Sequence, residues 1–132
     1  MPEAEKELPG PPAWRGIAGY SLAGLFALYA ICQTDVFSRV GCMSGSLWFP
    51  GFKEYVFSHE PKRWADCIYF SLGDREAKTR NPDLKTVQEN TEAIHAHFLA
   101  QGIDTVFQLN PGNHFVQGIE RTVAGIRWLL GR

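Results

Sequence analysis

The chain alternates short apolar runs with longer patterned ones. Trp14 to Tyr20 is a brief apolar run, and Leu22 to Gln33 is apolar nearly all round, which predicts a short buried strand followed by a helix inside a layered domain. Phe37 to Met43 is a second strand-like run; it stops at Ser44-Gly45-Ser46 and leads into the aromatic segment Leu47-Trp48-Phe49-Pro50. A third run, Asp66 to Leu72, is rich in β-formers and halts at Gly73. Asn81-Pro82 then opens a helix, with Leu84, Val87, Thr91, Ile94 and Phe98 on one face and Gly102 at its end. Thr105 to Leu109 reads as a fourth strand and Pro111-Gly112-Asn113 as a turn. Phe115 to Leu130 reads as a last helix whose inner stripe is Val116, Ile119, Val123, Ile126 and Leu130. Strands that alternate with helices predict an α/β fold of about four parallel strands with helices on both faces.

Length and charge narrow the picture. At 132 residues the chain holds one domain at most. Residues 1–13, acidic and proline-rich, read as a flexible leader without the basic and apolar regions of an export signal, and residues 14–132 form the domain. The longest apolar stretch, Leu22 to Cys32, is too short to span a bilayer. A net charge of −1 offers no basic surface for nucleic acid and no cationic run for a membrane. Cys32, Cys42 and Cys67 lie in apolar surroundings without a C-x-x-C pair, which predicts reduced thiols and a cytoplasmic setting. His95 and His97, two apart on a helix, face different directions, and His59 has no second ligand nearby. No metal, and no other cofactor, is therefore expected.

One turn carries chemistry. Gly19-Tyr20-Ser21-Leu22-Ala23-Gly24 joins the first strand to the first helix, with small residues two before and two after Ser21. A serine at a sharp strand-to-helix turn needs such neighbours, because larger side chains collide as the chain reverses. The turn would present the Ser21 hydroxyl as a nucleophile and aim the Leu22 amide at a developing oxyanion. The plainer alternative is a glycine-rich turn between two buried elements.

The ends of the other strands add suitable partners. Asp74 and Glu76 follow the third strand and His114 the fourth, giving the order serine, acid, histidine of the α/β-hydrolase triad. His114 would be the base. Glu76 has the better reach as its orienter and Asp74 is the competitor, although either could be a solvated loop charge beside Arg75, Lys78 or Arg80. Trp48 and Phe49 would either wall a substrate pocket beside Ser21 or serve as core or subunit contacts.

The run Ile17-Ala18-Gly19-Tyr20-Ser21-Leu22-Ala23-Gly24-Leu25-Phe26-Ala27-Leu28-Tyr29, then Ser44-Gly45-Ser46-Leu47-Trp48, then Gly73-Asp74-Arg75-Glu76, resembles the esterase family of α/β-hydrolases that includes the enterochelin esterases. The resemblance runs from about Arg15 to Leu130, with Ala23 where the family usually has glycine. It implies Ser21 as nucleophile, His114 as base, Glu76 or Asp74 as acid, and Tyr20 and Trp48 at the substrate, which would be a small-molecule ester or lactone of a polar acid. It covers only the C-terminal half of such an enzyme. By that resemblance the strand before Ser21 should be flanked by a further strand, and the second oxyanion donor should come from a loop outside this chain. Losing one such donor costs about a hundred- to a thousandfold in rate. An uncovered strand edge would favour a homo-oligomer or a complementary chain.

These readings predict a serine carboxylic-ester hydrolase unit, truncated or dependent on a partner half. The alternative is a non-catalytic remnant or interaction module of the same fold, and acyl transfer to an alcohol would use the same triad.

Overall fold

The computed structural model describes residues 15–61, 64–111 and 118–132. Four parallel strands lie in the order β1-β2-β3-β4: β1 Gly16–Tyr20, β2 Arg39–Met43, β3 Cys67–Gly73 and β4 Asp104–Asn110. Between them run α1 (Leu22–Gln33), α2 (Phe52–Ser58) and α3 (Val87–Ala100), and α4 (Gly118–Leu130) follows β4. The leader, Trp14, the end of the Pro111-Gly112-Asn113 turn, and Phe115 and Val116 of the expected last helix lie outside the described residues.

Strand periodicity sorts the core into two layers. Val40, Cys42, Ile68 and Phe70 point to one face, where Leu28 and Ile31 of α1 and Ile94 and Phe98 of α3 cover them. Met43, Cys67 and Tyr69 point to the other, where Leu129 and Trp128 of α4 pack. Every residue of β3 is buried, as expected for a parallel strand sandwiched between helices.

Helix α1 occupies the residues expected of it. The helix opened by Asn81-Pro82 also forms, with the Asn81 side chain accepting from the Asp83 and Leu84 amides at 2.9 and 3.2 Å. Its first turn is a 3-10 turn, Leu84–Thr86, and the α-helix proper begins at Val87. Its inner face is Val87, Thr91, Ile94 and Phe98. The short helix α2 was not anticipated; Phe52 and Val56, one turn apart, bury its inner side.

Two expectations are corrected. Strand β1 is half-buried rather than buried, because it forms the edge of the sheet with no described strand beyond it. The stripe predicted to face inward on the last helix faces out: Ile119 is 79% exposed and Leu130 63%, with Val123 and Ile126 also exposed. The residues turned to the sheet are Arg121, Gly125 and Leu129. Gly125 permits a close approach, since a β-carbon there would lie 2.6 Å from the Met43 sulfur. The Arg39 guanidinium donates to the Leu129 carbonyl at 2.5 Å and fixes the far end. Leu22 and Phe26 of α1 are likewise exposed, so both helices that flank β1 carry uncovered apolar residues.

Leu129→Ala should therefore lower unfolding stability by about 2–5 kcal/mol, whereas Ile126→Ala should cost less than about 1 kcal/mol. Urea denaturation of the two variants checks this; equal losses would mean that α4 is rotated from the orientation described.

Candidate functional site

Ser21 occupies the turn between β1 and α1 with φ 64° and ψ −124°, a conformation that a side-chain-bearing residue adopts only under constraint. The constraint is visible in the backbone. The Ser21 amide donates to the Met43 carbonyl at 3.0 Å, and the Ser21 carbonyl accepts from the amides of Gly24 and Ser46, each at 3.0 Å. The requirement for small neighbours is equally concrete: a β-carbon on Gly19 would lie 2.4 Å from the backbone of Ala23. Leu22 opens α1, where a first-turn amide has no acceptor inside the helix.

A second positive-φ residue, Ser44 (φ 47°), ends β2 and is almost fully buried. Its hydroxyl donates to Glu76 Oε2 at 2.8 Å. The same oxygen accepts from the Gly73 amide at 2.5 Å and from Arg121 Nη1 at 3.1 Å. Arg121 Nη1 also donates to Ser44 Oγ at 3.1 Å, and Nη2 to the Pro111 carbonyl at 3.2 Å. The Arg121 and Glu76 side chains are only 2% and 4% exposed, so this is a buried ion pair with hydrogen bonds on both partners. Arg121 is the residue that sequence reasoning missed. An arginine on the helix face away from the apolar stripe reads as a surface charge until its partner is known.

Ser21, Ser44, Glu76 and Trp48 line one cavity of about 380 Å³, with Leu84 and Val87 forming part of its apolar wall. The Asn90 side-chain amide donates to the Leu47 carbonyl at 2.9 Å and holds the Trp48 segment against α3. Asp74 is exposed and is not in this wall; its amide donates to the Asn110 carbonyl at 2.7 Å. Tyr20 packs against the smaller core layer beside Met43 and Leu129 and is also absent from the wall. His114, the expected base, lies outside the described residues.

Cys42 lies beneath the 44–46 loop. Burial pushes its thiol up to about 12, with the Gly45 amide pulling the other way and the Glu76 charge adding to the rise. A buried thiol held protonated at neutral pH is a poor nucleophile. The remaining histidines pack on rings: His59 stacks on Tyr55 at 3.9 Å, His95 meets Phe70 and Phe107 edge-on, and His97 lies against Phe57 and Phe98. No cluster of potential metal ligands occurs among the described residues.

The family model "Putative esterase" matches residues 2–119, nearly the whole chain. The chain belongs to this esterase family. Its relatives include the uncharacterized protein YbbA of Bacillus subtilis, 23% identical over an alignment of 127 residues that covers 92% of this chain and 51% of YbbA. The fold is that of an IroE-like serine hydrolase from Shewanella oneidensis (TM-score 0.73, 19% identity, 96% of this chain and 43% of that one). It is also that of an enterochelin esterase from Shigella flexneri (TM-score 0.72, 21% identity, 98% and 34%). The chain thus spans about half or less of the length of these relatives.

If Ser21 carries backbone strain, Ser21→Gly should be more stable than Ser21→Ala by about 1–2 kcal/mol, because glycine adopts this φ without penalty. Chemical denaturation of the two variants measures the difference; an alanine variant as stable as the glycine one would show the turn to be unstrained.

Proposed function

We propose that this chain carries the nucleophile-bearing part of a serine carboxylic-ester hydrolase. The observation that carries this reading is the strained turn that places Ser21 in the wall of a cavity shared with Glu76 and Trp48. In this reading Ser21 attacks the ester carbonyl, His114 takes its proton and returns it to the leaving alcohol, and a carboxylate orients the imidazole. Glu76 is favoured as that carboxylate over Asp74 because it lines the cavity, and the buried ion pair with Arg121 fixes its position. The Leu22 amide supplies one oxyanion donor. Trp48 offers an apolar wall to the substrate, a small-molecule ester. Tyr20 would reach it only from the opposite core layer.

Three free cysteines suit a reducing, cytoplasmic setting, and no described helix is long and apolar enough to cross a membrane. The edge of β1, which no described strand pairs, with exposed Leu22 and Phe26 on one face and Ile126 and Leu130 on the other, supports a unit that works when a second copy or a complementary chain covers it. A non-catalytic remnant would keep the same turn without turnover.

Hydrolysis of 4-nitrophenyl acetate, followed over a range of protein concentrations, tests both parts. Ser21→Ala should lower the rate by on the order of 10⁴-fold or more, and the wild-type rate per chain should rise with concentration as edges pair. An unchanged rate in Ser21→Ala would overturn the mechanism. A rate per chain independent of concentration would overturn self-association as the means of completing the site.

A further inference from the structure

We propose that the cavity beside Ser21 binds a carboxylate through Arg75 and Lys78, and that the ester it takes carries such a group; the ester part rests on the hydrolase reading, the anion site on the cavity alone. Arg75 and Lys78 both stand in the cavity wall, on the tight loop after β3 in which the Lys78 amide donates to the Arg75 carbonyl at 3.1 Å. Among the described residues of that wall Glu76 is the only acid, and its charge is met by Arg121 inside the protein. Arg75 and Lys78 have no ion-pair partner among the described residues. Among the described residues the wall therefore carries two uncompensated positive charges together with the apolar surface of Trp48, Leu84 and Val87.

A concave surface of one charge sign concentrates ligands of the other. An arginine fork matches a carboxylate with two parallel hydrogen bonds, and a lysine adds a point charge. The complementary ligand has an apolar body, to lie against Trp48, and a carboxylate at the end nearer the β3 loop. Both cations keep access to solvent, so the attraction is open to screening and should weaken as salt is raised.

Two measurements on the full chain test this. The first compares kcat/KM for mono-4-nitrophenyl glutarate and 4-nitrophenyl butyrate, in wild type and in the Arg75→Ala/Lys78→Ala variant. The anionic-to-neutral ratio should fall about tenfold in the variant, and an unchanged ratio overturns the proposal. The second needs no turnover: glutarate is titrated while the Trp48 indole N–H signal is followed by NMR. A saturable shift in wild type that is lost in the variant supports the site, and no shift in folded wild type, or the same shift in both, overturns it. A saturable, variant-sensitive shift in a protein that hydrolyses neither ester leaves the anion site standing and counts against the hydrolase reading alone.

Discussion

One buried ion pair ties together the carboxyl ends of three strands. Glu76 reaches from the loop after β3 to Ser44 at the end of β2, while Arg121 of α4 grips Glu76, Ser44 and the Pro111 carbonyl just beyond β4. Desolvating two charges costs several kcal/mol per ion, and only mutual attraction with further hydrogen bonds offsets that cost. Here one carboxylate oxygen receives three donors and the guanidinium has three acceptor contacts. The pair is therefore tolerated where it lies, and it fixes the rotation of α4. Arg121 must face the sheet to meet Glu76, so Gly125 and Leu129 face it too, and the apolar stripe of Ile119, Val123, Ile126 and Leu130 is left outside.

The fourth strand end, that of β1, is tied in by backbone hydrogen bonds. Ser21 is locked between the Met43 carbonyl and the Ser46 amide, so the turn after β1 and the loop after β2 brace each other. The Ser44-to-Ser46 loop is thereby the link between the strained serine and the ion pair: its first residue bonds to Glu76 and its last to Ser21. A change in either partner should be felt at the other through three residues of chain.

Much of this was legible in the sequence, for local reasons. Helix α1 is legible as one unbroken apolar run between a turn serine and a polar end, and α3 is announced by Asn81-Pro82 and by its apolar period. The small-x-Ser-x-small spacing translates directly into the 2.4 Å approach of Gly19 to Ala23. What failed was orientation. Hydrophobic periodicity locates an apolar stripe but not the surface that covers it, and on α4 the partner of a single arginine outweighed four aliphatic residues. The half-exposure of β1 has the same origin, because burial of an edge depends on a neighbour. Helix α2 escaped because its seven residues carry only two buried positions, too few to establish a period.

The central claim is that Ser21 is an activated nucleophile in this chain. Intact-mass spectrometry after exposure to a fluorophosphonate tests it most directly, since that reagent labels a serine whose neighbours have already activated it. The account predicts a single adduct on the folded protein that disappears in Ser21→Ala. Folded protein that takes up no adduct, or an adduct that persists in the variant, would contradict it.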